Sequence, residues 1–183
     1  MIMITASEAI WGEKRACRGL QRVLVELMHN TNNHASTRGK GEKHWWLSVN
    51  RNKALKKVEF AFLDHGVGIF SSLREKDGFG KWHGWQEKIK KVFGMTTDEE
   101  NLRLLLEGKI HLTVTGSTFR GKGLPGIKEV LDRNQISNLQ IITNNVSADV
   151  ANNKYNLLSN VYRGTFFYWE LDSTNENQKW NIC

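Results

Sequence analysis

The run Val58-Glu-Phe-Ala-Phe-Leu63 is almost wholly apolar and stops abruptly at Asp64-His-Gly66-Val-Gly68. A short apolar run rich in aromatic residues reads as a buried strand. An acid at its end, followed by two glycines, marks a place where the backbone comes close to another group. Asp and Gly are also common wherever a strand turns away, so this block alone fits an ordinary exit turn. What it does constrain is the fold. A buried strand needs partners on both sides and apolar cover, and the rest of the chain has to supply them.

The neighbouring segments supply them in a definite order. From about Ser7 to Ala35 the pattern is helical, with Leu20, Val23, Leu24, Leu27 and Met28 forming one apolar stripe. A polar loop, Ser36 to Lys43, follows. The segment Trp45-Trp-Leu-Ser-Val49 reads as a second strand, joined to Val58–Leu63 by a turn at Arg51 to Leu55, which predicts an antiparallel hairpin. The stretch Ser71 to Gly116 predicts two short helices, about Gly84 to Phe93 and about Asp98 to Leu106. The second carries a capping-box signature in Thr97 and Glu100. A strand at Ile110–Thr115, a helix at Leu124–Arg133, and strands at Leu139–Thr143, Tyr155–Leu158 (weak) and Thr165–Leu171 complete the pattern. This order predicts an α+β chain: a two-layer α/β sandwich with a mixed, mainly antiparallel sheet. With 183 residues, a single proline and no linker-like stretch, residues 1–183 read as one domain, with a polar, frayed tail at about 172–183.

Three further blocks bear on chemistry. Glu26 and Asn30 are four apart on the first helix, so they share a face beside the apolar stripe. A carboxamide oxygen can join phosphate oxygens around Mg²⁺, and a carboxylate one turn away can orient or deprotonate a hydroxyl or water. An ordinary solvated helix edge would look the same. Gly121-Lys122-Gly123-Leu124 opens a helix, where free N–H groups favour anions. A flexible loop before a helix is the plainer explanation. Gly164-Thr165 begins an apolar run, and its hydroxyl could share a water or a base with Asp64. The absence of GxxxxGK[ST] and of GxGxxG after a first strand argues against P-loop and Rossmann sites.

Taken together and in this order, the blocks resemble the nucleotide site of the GHKL superfamily, which includes gyrase B subunits, sensor histidine kinases, mismatch-repair ATPases and anti-sigma-factor serine kinases. Glu26-Leu-Met-His-Asn30-Thr-Asn-Asn-His34-Ala35 resembles the asparagine-bearing box, Asp64-His-Gly66-Val-Gly68 the DxGxG box, Gly121-Lys-Gly123-Leu124 the GxGL box, and Gly164-Thr165 the terminal strand threonine. The resemblance runs from about Gly19 to Leu171 and implies the Bergerat ATP-binding fold, with ATP and Mg²⁺ as ligands. It implies that Asn30 binds the metal, Asp64 the adenine amine, and Gly66 and Gly68 the base pocket. Gly121, Lys122, Gly123 and Leu124 would hold phosphates from a lid spanning about 69–123, with Thr165 assisting at the base. Glu26 would be the catalytic group. The spacing to His34-Ala35 is nearest the anti-sigma serine kinases, where the acid is a candidate base for a protein serine; in gyrase-type ATPases it polarises water. Thr31 stands where the family usually has alanine.

The expected role is regulatory, in signal transduction: an ATPase or a protein kinase, with a protein partner or an additional domain. A non-catalytic nucleotide sensor whose lid closure controls a partner is the first alternative. A basic nucleic-acid-binding module is the second, since the formal charge is +7, with seven tryptophans including Trp45-Trp46. Aromatic residues are more often core than stacking platforms, which disfavours nucleic acid. Two cysteines far apart predict neither a zinc site nor a disulfide framework, and no apolar run approaches a membrane span. The short start lacks a basic leader, and a cytoplasmic location is expected.

Overall fold

The computed structural model describes residues 2–35, 42–75, 97–109, 123–176 and 178–179. The helix expected at Gly84–Phe93 and the strand expected at Ile110–Thr115 lie outside them, as do Gly121, Lys122 and most of the expected lid.

The fold is α+β. Helix α1 (Ile2–Trp11) and a short strand β1 (Arg15–Ala16) precede helix α2 (Arg18–His34). The hairpin β2 (Trp45–Asn52) and β3 (Lys57–Asp64) leads into helix α3 (Ile69–Glu75). Helices α4 (Asp98–Leu106) and α5 (Gly123–Asp132) come next, then the long strands β4 (Ser137–Asp149) and β5 (Lys154–Asp172), and β6 (Gln178–Lys179). The main sheet has the order β2-β3-β5-β4, and each of its pairings is antiparallel. A separate two-stranded sheet pairs β1 with β6. No parallel pairing of the expected mixed sheet occurs among the described residues.

Strand alternation decides which face is covered. Val58, Phe60 and Phe62 of β3 point the same way as Phe167, Trp169 and Leu171 of β5 and Leu139 and Ile141 of β4. These side chains, Leu20, Val23 and Leu27 of α2, Leu102, Leu105 and Leu106 of α4, and Ile127 and Val130 of α5 form one core. The Phe60 and Trp169 rings stack at 5.3 Å within it. On the opposite face, Glu170 accepts hydrogen bonds from Lys57 (2.6 Å), Tyr168 (2.5 Å) and Asn138 (3.1 Å). Burial alone would raise the Glu170 carboxyl, but these donors hold it below the usual range.

Several expected elements take a different form. The single helix at Ser7–Ala35 is two helices, because the chain turns at Gly12, whose φ of +68° is left-handed. Strand β2 runs three residues past Val49, which moves the turn to 53–56, with Lys56 left-handed. The two strands expected at Tyr155–Leu158 and Thr165–Leu171 are one strand, β5, with an irregular middle: between Leu157 and Thr165 only Tyr162 pairs with β4, and the register shifts on both sides of it. Helix α3 lies where no helix was expected. The tail is tied down in part: Asn175 is buried and bonds Asn134, and β6 pairs with β1. Helix α4, by contrast, has its expected bounds. There the Thr97 amide donates to Glu100 at 3.2 Å, closing one half of the capping box.

Candidate functional site

The end of β3 is the anchor of the site. Asp64 is in register with Thr165 on β5, and Thr165 with Thr143 on β4, so three polar side chains continue the otherwise apolar inner face. The Gly66 amide donates to Asp64 Oδ1 at 2.8 Å, and Thr165 also hydrogen-bonds the carboxylate. Burial raises the Asp64 carboxyl above its ordinary range, and these hydrogen bonds offset only part of the rise. A carboxylate has about four acceptor positions, so the Gly66 amide and the Thr165 amide and hydroxyl leave capacity for one more donor.

The glycines are there because neighbours leave no room. A Cβ at Gly66 would lie 2.6 Å from the Ala35 Cβ at the end of α2, and the Val67 amide donates to the Ala35 carbonyl at 3.0 Å. Gly68 has φ +81°, and a Cβ there would meet the Asn144 carboxamide at 2.6 Å. Gly164 has φ +108°, and a Cβ there would run into the Asp64 carbonyl oxygen. The Gly-Thr block therefore packs directly on the acid block.

Two residues outside the four blocks hold this corner. Thr143 Oγ1 accepts from the Ile69 amide at 3.0 Å, and Asn144 Oδ1 accepts from the Phe70 amide at 3.0 Å. These are first-turn amides of α3, which otherwise lack partners within the helix. The Asn144 amide group donates to the Val67 carbonyl (3.0 Å) and to Ser71 Oγ (2.9 Å). Their sequence signal was faint: two adjacent polar residues in a strand, Asn144 left-handed at φ +50°.

On α2 the stripe expected from sequence faces the core, and its polar edge meets the start of α5. A Cβ at Gly123 would lie 3.3 Å from Asn30 Oδ1 and 3.5 Å from Glu26 Oε2. Arg22 and Glu129 form an ion pair at 2.7 Å that ties the two helices together. Thr31 is buried and donates its hydroxyl to the Leu27 carbonyl at 3.1 Å, so this larger residue is accommodated without an unpaired group. Leu124 is half-buried against the core.

The structure thus brings Glu26, Asn30 and Gly123 together at one place, and Asp64, Gly66, Gly68 and Thr165 at another. Helix α2 joins the two places: from Glu26 to Ala35 it rises about 13 Å. A ligand lying along α2 would find a buried acceptor at one end, and a carboxamide, a carboxylate and a helix start at the other. Among the described residues no group of three or more His, Cys, Asp or Glu is placed to hold a metal. A cation here would need Asn30 together with oxygens from the ligand itself. No helix of the described residues is long and apolar enough to cross a membrane.

No protein-family model matches the chain, and no curated protein matches it.

Proposed function

We propose that the chain binds Mg-ATP along α2, with the base at Asp64 and the phosphates at Asn30 and the start of α5, and that it acts as a regulatory, GHKL-type nucleotide-binding domain. The observation that carries this reading is the joining of the chemical blocks by α2. Asn30 and Glu26 stand against Gly123, while Ala35 of the same helix stands against Gly66 beside Asp64. Residues far apart in sequence, each suited to nucleotide chemistry, meet at the two ends of one helix segment.

The roles follow from the donor sets. Asp64 accepts from an exocyclic amine, and Gly66 and Gly68 let the base approach the backbone. Asn30 offers a neutral oxygen to a magnesium ion that phosphate oxygens also hold; the ion, when bound, neutralises phosphate charge. Glu26 takes a proton from a water or a protein hydroxyl beside the phosphates. Whether the chain turns ATP over or only senses it depends on Glu26. The Glu26→Gln variant is expected to bind Mg-ATP like the wild type and to lose any turnover.

Calorimetric titration of ATP with and without Mg²⁺ tests the whole reading. Asn30→Ala is expected to weaken Mg-ATP by about tenfold or more while leaving metal-free ATP nearly unchanged. Equal losses in both titrations would remove the metal role, and no binding in either would remove the reading.

A further inference from the structure

We propose a second binding site, for single-stranded nucleic acid, on the free edge of the sheet at the start of β2. An open depression of about 620 Å³ lies there, lined by Glu42, Lys43, His44, Trp45, Trp46 and His65. Strand β2 is the last strand of the sheet order, so its outer edge has no partner strand among the described residues.

The aromatic groups are presented, not packed away. Trp45 stacks on Phe62 at 5.5 Å with the planes 18° apart. Phe62 is 1% exposed and belongs to the core, so it holds the indole flat, while Trp45 keeps 39% of its surface in solvent. Trp46 points to the other side of the strand and is 67% exposed. Large apolar groups left in water beside a depression mark a contact surface. A flat, supported indole suits the π-face of a base, and each base–aromatic stack contributes sequence-independent affinity.

The lining carries one full positive charge, Lys43, beside two histidines and one carboxylate. Lys43, His44 and His65 line the depression, and its single acid, Glu42, is engaged with His44 at 3.3 Å. Strand β2 contains Arg51 and no carboxylate, and exposed Lys53 and Lys56 follow in the turn. From Trp46 to Lys53 the strand path covers about 23 Å, enough for several nucleotides of an extended strand. The chain as a whole carries +7. Both features together select the ligand: a phosphate chain answers the cations, and unpaired bases answer the indoles. A duplex keeps its bases stacked inside, away from the rings. An acidic peptide could pair with the strand edge but would leave Trp46 without a role. None of these side chains belongs to the Mg-ATP site proposed above.

Fluorescence anisotropy of a labelled oligothymidylate of about 15 nucleotides, titrated with the full chain at several salt concentrations, tests this. Binding is expected to weaken with salt and to quench tryptophan emission. Trp46→Ala is expected to lower affinity about tenfold or more, and Trp46→Phe to restore most of it. The Lys43→Ala and Arg51→Ala double variant is expected to reduce the slope of log K against log salt by about 0.7 per cation removed. Should Trp46→Ala fail to fold, the double variant decides: an unchanged affinity and slope would overturn the site. Absence of binding at low salt would also overturn it. So would equal affinity for a duplex of the same length, or equally effective displacement by an acidic peptide.

Discussion

At the residue scale, Asp64 carries a cost that its function would explain. Burial keeps its carboxyl above the ordinary 3.8, so the folded state holds the proton more tightly than the unfolded chain does. Its contribution to stability is therefore greatest in acid and declines as pH rises from about 3.8 through the raised folded value. Asp64→Asn removes the buried charge and keeps an acceptor oxygen for the Gly66 amide. Its Tm at pH 7 is expected to equal or exceed that of the wild type, with the advantage disappearing as pH falls through the raised folded value toward the ordinary 3.8. ATP affinity is expected to fall by up to about 10⁴-fold. Melting curves across pH beside an ATP titration read both. A Tm several degrees lower at pH 7 would make the carboxylate structural.

Two glycines separate conformation from packing. Gly12 and Gly164 both have left-handed φ, but only Gly164 lies against another backbone, the Asp64 carbonyl. Gly12→Ala is expected to cost about 1 kcal/mol, the price of the φ alone. Gly164→Ala is expected to cost more than about 2 kcal/mol, because β5 must move off β3 where Asp64 meets Thr165. Urea denaturation of the two variants makes the comparison. Equal costs would mean that Gly164 is not held against β3.

At the element scale, legibility depended on how local each signal is. The bounds of α4 were readable because Thr97, Glu100 and the apolar spacing all lie within one stretch of chain. The β2–β3 hairpin was readable because adjacent strands pair through a short turn. Helix α3 was not readable, because what starts it is remote: Thr143 and Asn144 of β4 take its first amides. Asn144→Ala removes four hydrogen bonds and leaves the Phe70 amide buried without its acceptor. The expected loss is about 2–3 kcal/mol, with weaker ATP binding because the Gly66–Gly68 turn loses its tie at Val67. Denaturation and nucleotide titration of this variant check both effects; unchanged nucleotide affinity would detach α3 from the site. The length of β5 was hidden for a related reason. Gly164 and the polar residues before it look like a break, and the ladder with β4 is in fact irregular there, yet β5 stays extended and regains its register at Thr165.

At the scale of the whole molecule, a ligand bound along α2 would join the helical layer to the sheet, since its two ends contact α5 on one side and β3 with β5 on the other. Mg-ATP at about a hundred times its Kd is expected to stabilise the fold by about 2.7 kcal/mol, which raises Tm by roughly 5–10 °C. Differential scanning fluorimetry with ATP, with and without Mg²⁺, measures this. An equal shift with unrelated polyphosphates would point to surface charge instead of a site.

The sequence by itself determined the α+β class, the apolar stripe of α2, the hairpin, and the residue types at the four blocks, because these rest on periodicity and on neighbours a few positions apart. It placed Trp45 and Trp46 among core aromatics, since composition says nothing of which strand stands at a sheet edge. Only the tertiary structure decided that β2 is that edge, which exposes both indoles. Only it decided that Gly123 meets Asn30, that Ala35 meets Gly66 and that Gly164 packs on Asp64. Such contacts depend on the order of strands and the seating of α2. Long-range packing sets both, and no local pattern of residues encodes them.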